Sequence, residues 1–265
     1  MLKDVTIGQY YPTDSVIHKL DPRTKIHFTF VYIIALFLIS NFIGYGVAFV
    51  FLTGITLASK IPVKYVLKGI KPLVFIIIIT VGINMFMTPG TPLVSFWKLS
   101  ITEEGLELAG FMALRLIFLV TGTSIMTLTT SPIALTDGIE FSIRKVPGIK
   151  KYAHELAMMM TIALRFIPTL MEETDRIMKA QKARGADFET GSLVKRAKSL
   201  IPILVPLFVG AFRRADELAV AMEARCYRGG ENRTRLNELV FHKRDAFGYG
   251  FIFFMLVSLF LTRYL

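Results

Sequence analysis

From residue 28 to residue 59 the chain carries no charged side chain. A transmembrane helix needs about 20 apolar residues, so this run is too long for one span and suits two short ones. Ser40, Asn41 and Gly44 interrupt it and favour a turn. Two spans are expected, near 26–40 and 43–58. Three more apolar stretches follow, from about Pro72 to Met87, from about Leu106 to Thr129, and "AFGYGFIFFMLVSLFLT" at 246–262. The chain has 265 residues, 53% of them hydrophobic, with 22 Phe and a mean hydropathy of +0.55. A soluble domain of that length is not so apolar. The expected fold class is an all-α membrane protein with about five transmembrane helices plus long amphipathic cytoplasmic helices.

The same chain has a formal charge of +11 from 31 Lys and Arg, and charge belongs outside the hydrocarbon. Loops 59–71, 131–155 and 179–198 and the stretch 213–245 are rich in Lys and Arg, whereas loops 41–45 and 88–104 hold only Lys98. The positive-inside rule puts the basic loops in the cytoplasm, with the N-terminus inside and the C-terminus outside. Lys60, Lys64, Lys68 and Lys71 stand about four apart, a spacing for one helix face turned to anionic headgroups. The opening "MLKDVTIGQYYPTDS" lacks the apolar core of a cleaved signal peptide. Three regions are expected: 1–130 as a membrane part with four spans, 131–245 as a cytoplasmic region, and 246–265 as a final transmembrane helix.

Residues 153–230 differ from the spans. Charges run through the second half of "LAMMMTIALRFIPTLMEETDRIMKAQKARGA", while Ile167, Leu170, Met171, Thr174, Ile177 and Met178 form one apolar stripe. Ala211, Ala215, Leu218, Ala219 and Met222 repeat that stripe. Two long amphipathic helices are expected, bent at Pro168 and at Pro202/Pro206, because an internal Pro removes a hydrogen bond. Their ends repeat at one offset: Asp175 with Asp216, Ala180 with Ala221, Ala183 with Ala224, Arg184 with Arg225. Gly185, and Gly229 with Gly230, can stop a helix through positive φ. A single basic helix end is accounted for by the helix dipole. Two matched copies, each Arg flanked by small Ala, also suit an acidic groove on a partner, where a guanidinium donates in a planar fork.

Four segments together resemble one known family. They are "HKLDPRTK" at 18–25, "LTTSPIALTDGIE" at 128–140, "ALRFIPTLMEETDRIMKAQKARGAD" at 163–187 and "VPLFVGAFRRADELAVAMEARCYRG" at 205–229. The chain is similar to the transmembrane T component of energy-coupling factor transporters, ATP-binding-cassette (ABC) importers for vitamins and transition-metal ions. The resemblance implies two coupling helices, each with a short Arg motif, commonly Ala-Arg-Gly, that docks on one of two cytoplasmic ABC ATPase subunits. The first motif matches at Ala183, Arg184 and Gly185. The second matches at Ala224 and Arg225, with Cys226 where Gly is usual. It further implies a separate substrate-binding membrane S component, location in the cell membrane, and ATP hydrolysis by the partners rather than by this chain. No cofactor and no nucleic-acid partner is expected.

In "LDPRTK" Asp21 stands at an N-cap and Pro22 at the first helical position, with Arg23 and Lys25 expected as interface anchors. Arg115 falls inside a span, and a lone intramembrane Arg is a functional candidate; it either snorkels or pairs with a partner subunit. Met158, Met159 and Met160 serve packing or an adaptable partner surface. Trp97 suits an interfacial anchor. The four His residues and the single Cys226 show no metal-ligand spacing, and no G-x-x-x-x-G-K-[ST] loop is present. The alternative is a self-contained secondary carrier with Arg115 as its site, a class that shows repeated, broken spans; here the repeat lies outside the spans. A membrane-bound enzyme ranks last, since no nucleophile–base pair or carboxylate cluster sits at a span end.

Overall fold

A computed structural model of the protein describes residues 10–96, 99–144, 146–148, 152–188, 190, 192–229 and 239–262. They form two compact units, one from described residues within 8–142 and 238–265, the other from those within 143–237. Trp97, expected as an interfacial anchor, lies outside the described residues.

The first unit is built on helices α1 (Pro22–Leu38), α2 (Phe42–Ser59), α3 (Val63–Lys68), α4 (Val74–Met87), α5 (Glu103–Thr129), α6 (Pro132–Arg144) and α10 (Lys243–Leu261). Their boundaries follow local chemistry. Asp21 caps α1 with its carboxylate on the Arg23 amide, ahead of Pro22. Asn41 caps α2 by accepting from Gly44. Thr102 Oγ1 accepts from Gly105 at the head of α5, where Glu103 and Glu104 favour the positive dipole end. Between α4 and α5 lies a small antiparallel hairpin, β1 (Pro92–Phe96) with β2 (Leu99–Thr102), Phe96 opposite Leu99. Strands this short leave too little alternation to register against the surrounding apolar runs.

Among the described residues, four stretches are long and apolar enough to cross a membrane: Phe42–Ser59, Val63–Met87, Glu103–Thr129 and Lys243–Leu261. The chain is thus an all-α, multi-pass membrane protein. The expected first span, α1, is 17 residues long, about 26 Å, one residue shorter than α2 and at the short end of the range for a span. Its first turn is given over to a buried polar cluster instead of hydrocarbon.

The core of this unit joins Tyr32, Ala35 and Leu36 of α1, Tyr45, Ala48 and Leu52 of α2, Val66 of α3, Phe118, Ile125 and Leu128 of α5, and Met255 of α10. Tyr32 donates its hydroxyl to the Phe118 carbonyl at 3.0 Å. Gly122 permits this approach, since a Cβ there would lie 2.3 Å from the Tyr32 ring; small residues at helix contacts are how membrane helices pack closely. In contrast α4 buries no residue, and its Phe75, Ile76, Ile78 and Ile83 stand exposed, as on a helix bathed in lipid.

Two expectations about the basic segment after α2 are corrected. Lys60 does not share a helix with Lys64 and Lys68; it caps α2 in the left-handed region at φ 56°. Pro62 then opens α3, and Lys71 belongs to a separate turn of 3₁₀ helix, Lys71–Leu73. Only Lys64 and Lys68 keep the one-face relation.

The second unit holds α7 (Ala153–Ala183), α8 (Leu193–Ser199) and α9 (Ile201–Ala224). Pro168 and Pro206 lie inside α7 and α9. Pro202 does not: it sits in the first turn of α9, where its missing N–H would have had no partner anyway. Leu170, Met171, Thr174, Ile177 and Met178 are half-buried, matching the apolar stripe, whereas Ile167 is exposed.

Candidate docking site

The ends of α7 and α9 have the same geometry, residue for residue. After α7 the amide of Gly185 donates to Lys182 and that of Ala186 reaches back to Gln181 at 2.9 Å. After α9 the amide of Cys226 donates to Glu223 and that of Tyr227 reaches back to Met222 at 3.0 Å. Both are Schellman closures. The left-handed position is filled by Gly185 at φ 87° in one and by Cys226 at φ 54° in the other. The expected stop at Gly229 is corrected: α9 ends at Ala224 and closes three residues before Gly229, because Cys226 takes the conformation that Gly takes in the first copy.

The closure holds Arg184 and Arg225 at helix caps, both exposed, with exposed Ala183 and Ala224 beside them. Neither guanidinium makes an ion pair among the described residues. The free Cys226 is exposed next to Arg225. An L-residue in the left-handed region costs about 1–2 kcal/mol. Cys226→Gly is therefore expected to stabilise this helix end by about 1 kcal/mol while leaving Arg225 exposed at the same cap. Thermal denaturation of the variant checks the first part, and protease accessibility of the helix end the second.

A second relation was not anticipated from the sequence. Glu173 of α7 and Arg214 of α9 form an ion pair, both side chains about 30% exposed. These two positions are equivalents under the same offset that matches Arg184 to Arg225. Contact between equivalent residues is what a local two-fold relation between two helices produces. Each Arg then lies 11 residues past the meeting point on its own helix, an arm of about 16 Å. The signal was present as opposite charges at matched positions, but a search for identities passes over complementary pairs.

Arg23 and Lys25 are not interface anchors. Arg23 is buried with its side chain on Asp21, at 2.9 Å from Nε and 2.7 Å from Nη2. Its guanidinium lies between the rings of Phe141 (4.3 Å) and Phe241 (4.0 Å). The Asp21 amide donates to Asp245 at 2.7 Å, and the Asp245 carboxylate also accepts from His242 N–H at 2.8 Å. Lys25 Nζ donates to the carbonyls of His18 (3.1 Å) and Thr129 (2.8 Å). This cluster binds the starts of α1 and α10 together. Burial alone would raise the Asp21 carboxyl, but the hydrogen bonds and charge of Arg23 outweigh it and hold it below the usual carboxylate range.

Arg115 is half-buried within its own unit. It donates from Nε to the Tyr45 hydroxyl and from Nη2 to the Ile39 carbonyl, both at 3.2 Å, with Phe37 at 5.4 Å from its centre. Ile39 is the C-cap of α1, so this cation meets the negative end of a helix dipole. Met158 is half-buried, and Met159 and Met160 are exposed on the first half of α7. Among the described residues, no three His, Cys, Asp or Glu gather in a metal-binding group.

Comparison with known proteins decides the family. A family model described as CbiQ, cobalt transport protein, matches residues 13–236. A relative from Clostridium kluyveri, named energy-coupling factor transporter transmembrane protein EcfT, is 60% identical over 92% of both chains. Proteins of the same name from Thermosediminibacter oceani and Bacillus subtilis are 59% identical over 90% and 45% identical over 93% of each chain. The chain belongs to the T-component family of energy-coupling factor transporters. It is the transmembrane coupling subunit of such a transporter, and the secondary-carrier alternative falls away.

Proposed function

We propose that this T component grips two cytoplasmic ABC ATPases, one through Arg184 and one through Arg225, and passes their motion to a separate substrate-binding membrane protein. The observation that carries this is the repeated Schellman end with an exposed Arg, set at equal distance along each helix from the Glu173–Arg214 contact. Two equal arms suit two ATPases that close on ATP together. The residues of the motifs are Ala183, Arg184 and Gly185, and Ala224, Arg225 and Cys226. Ala keeps the surroundings of each guanidinium small, and the left-handed residue turns the chain away behind it. The exposed Met159 and Met160 with Met158 offer an adaptable surface to the substrate-binding protein.

The N-terminus lies in the cytoplasm in this reading. Lys60, Lys64, Lys68, Arg144 and Arg244 all fall at the ends of α2, α3, α6 and α10 that the positive-inside rule places there. The chain itself neither hydrolyses ATP nor selects the cargo.

Affinity capture of the tagged chain should bring down two ATPase chains and a small membrane subunit; capture of the T component alone would overturn the proposal. The Glu173–Arg214 contact gives an internal test. Arg214→Glu places two carboxylates together and should lower uptake several-fold, with the ATPases still bound. The swap Glu173→Arg with Arg214→Glu restores an attraction worth about 1 kcal/mol and should recover most of the uptake. A swap no better than the single change would show that the pair does not join the arms.

A further inference from the structure

A slot of about 320 Å³ lies within the membrane unit, between α1, α2, α5 and α10. Phe28, Tyr32, Leu52, Ile125, Phe251 and Ile252 are among its walls. Its residues come from the start of α1, the last turns of α2 and α5, and the start of α10. All four are helix ends on one side, so the slot opens into a single leaflet. Along α10 it runs from Arg244 to Ile252, about 12 Å, most of the depth of one leaflet's hydrocarbon. Two cations line it, Lys25 and Arg244, and no carboxylate does. Arg244 is exposed at the outer end, whereas the Lys25 ammonium is held inside on two carbonyls.

An apolar slot one leaflet deep, with positive charge at the headgroup end and no acid, has the chemistry of one ligand. We infer that it holds one acyl chain of an anionic phospholipid of the cytoplasmic leaflet, whose phosphate meets Arg244. Acyl burial supplies the affinity, and the cation selects anionic headgroups. The bound lipid would fill the seam where α10 joins α1.

A substitution on the slot wall tests this. Gly54 lies on its wall, and a Cβ there meets nothing within 4 Å; Gly54→Phe therefore adds a ring at the slot wall with no clash at its first carbon. Gly46 of the same helix is equally open but lies outside the slot, so Gly46→Phe is the control. The test uses the whole transporter complex in nanodiscs of equal phosphatidylglycerol and phosphatidylcholine, stripped with mild detergent, with retained lipid counted by native mass spectrometry. Wild type and Gly46→Phe should each keep one phosphatidylglycerol per T component, preferred roughly fivefold over phosphatidylcholine, the scale of attraction to one such cation. Gly54→Phe should keep none, and Arg244→Gln should keep lipid without the preference. Retention in Gly54→Phe equal to wild type would overturn the inference. So would a preference that survives Arg244→Gln, a variant that adds no bulk and decides the matter if Gly54→Phe fails to assemble. Lipid held by the isolated T component but absent from the complex would assign the slot to a protein partner instead.

Discussion

Reversing charge at both Arg184 and Arg225 is expected to strip the ATPases from the membrane complex and abolish uptake. Each guanidinium is exposed at a closed helix end with no counter-ion among the described residues, so its removal leaves nothing unsatisfied inside the chain. Loss of a buried interface Arg often costs ~2 kcal/mol or more, and an acidic groove adds repulsion against Glu. Two such losses come to at least ~4 kcal/mol, about a thousandfold in affinity. The single variants should behave differently. One intact motif should still hold the ATPase dimer through avidity, so Arg184→Glu or Arg225→Glu alone should assemble in part and transport poorly. Co-purification of the ATPases beside uptake, for both singles and the double, measures this. Uptake at wild-type level by the double variant would remove Arg184 and Arg225 from the coupling path. Full assembly with lost uptake would keep the lever and move the grip elsewhere.

Asp21→Ala should be the most damaging single change to the membrane unit. It leaves Arg23, whose side chain is 4% exposed, without its counter-ion between two aromatic rings. Breaking a buried pair by removing one partner costs about 3–5 kcal/mol. The double variant Asp21→Ala with Arg23→Leu removes the orphaned charge and should recover part of that loss. Additive losses in the two singles and the double, read by thermal denaturation of the purified complex, would show that the pair is not energetically joined. The same carboxylate gives stability a pH dependence. Its folded pKa is depressed, so its contribution is full above the ordinary carboxylate range and declines as pH falls through the lowered folded value.

Much of the fold was legible along the chain. The apolar stretches located α2, α4, α5 and α10 to within a few residues, because a bilayer demands a minimum run of apolar side chains. The repeated Ala-Arg was visible because the helix ends it marks are local structures. Their Schellman bonds span five residues, and the left-handed position was within reach of sequence reasoning at Gly185 but not at Cys226. Arg23 and Lys25 show the opposite case. Cations at the head of a membrane helix read as headgroup anchors, and nothing nearby announces that Asp245, more than 200 positions away, will help bury that turn.

Sequence alone determined that the chain crosses a membrane several times, which stretches between its apolar runs are basic, and that two helix ends carry the same Arg at one spacing. These are properties of runs and periods, written within a few turns of backbone. Only the tertiary structure decided that Glu173 meets its own equivalent Arg214, that Arg115 caps α1, and that Arg23 is buried among Asp21, Phe141 and Phe241. Each depends on which distant helices come to lie side by side, and helix pairing is set by shape and small-residue contacts such as Gly122 on Tyr32, which leave no period in the chain.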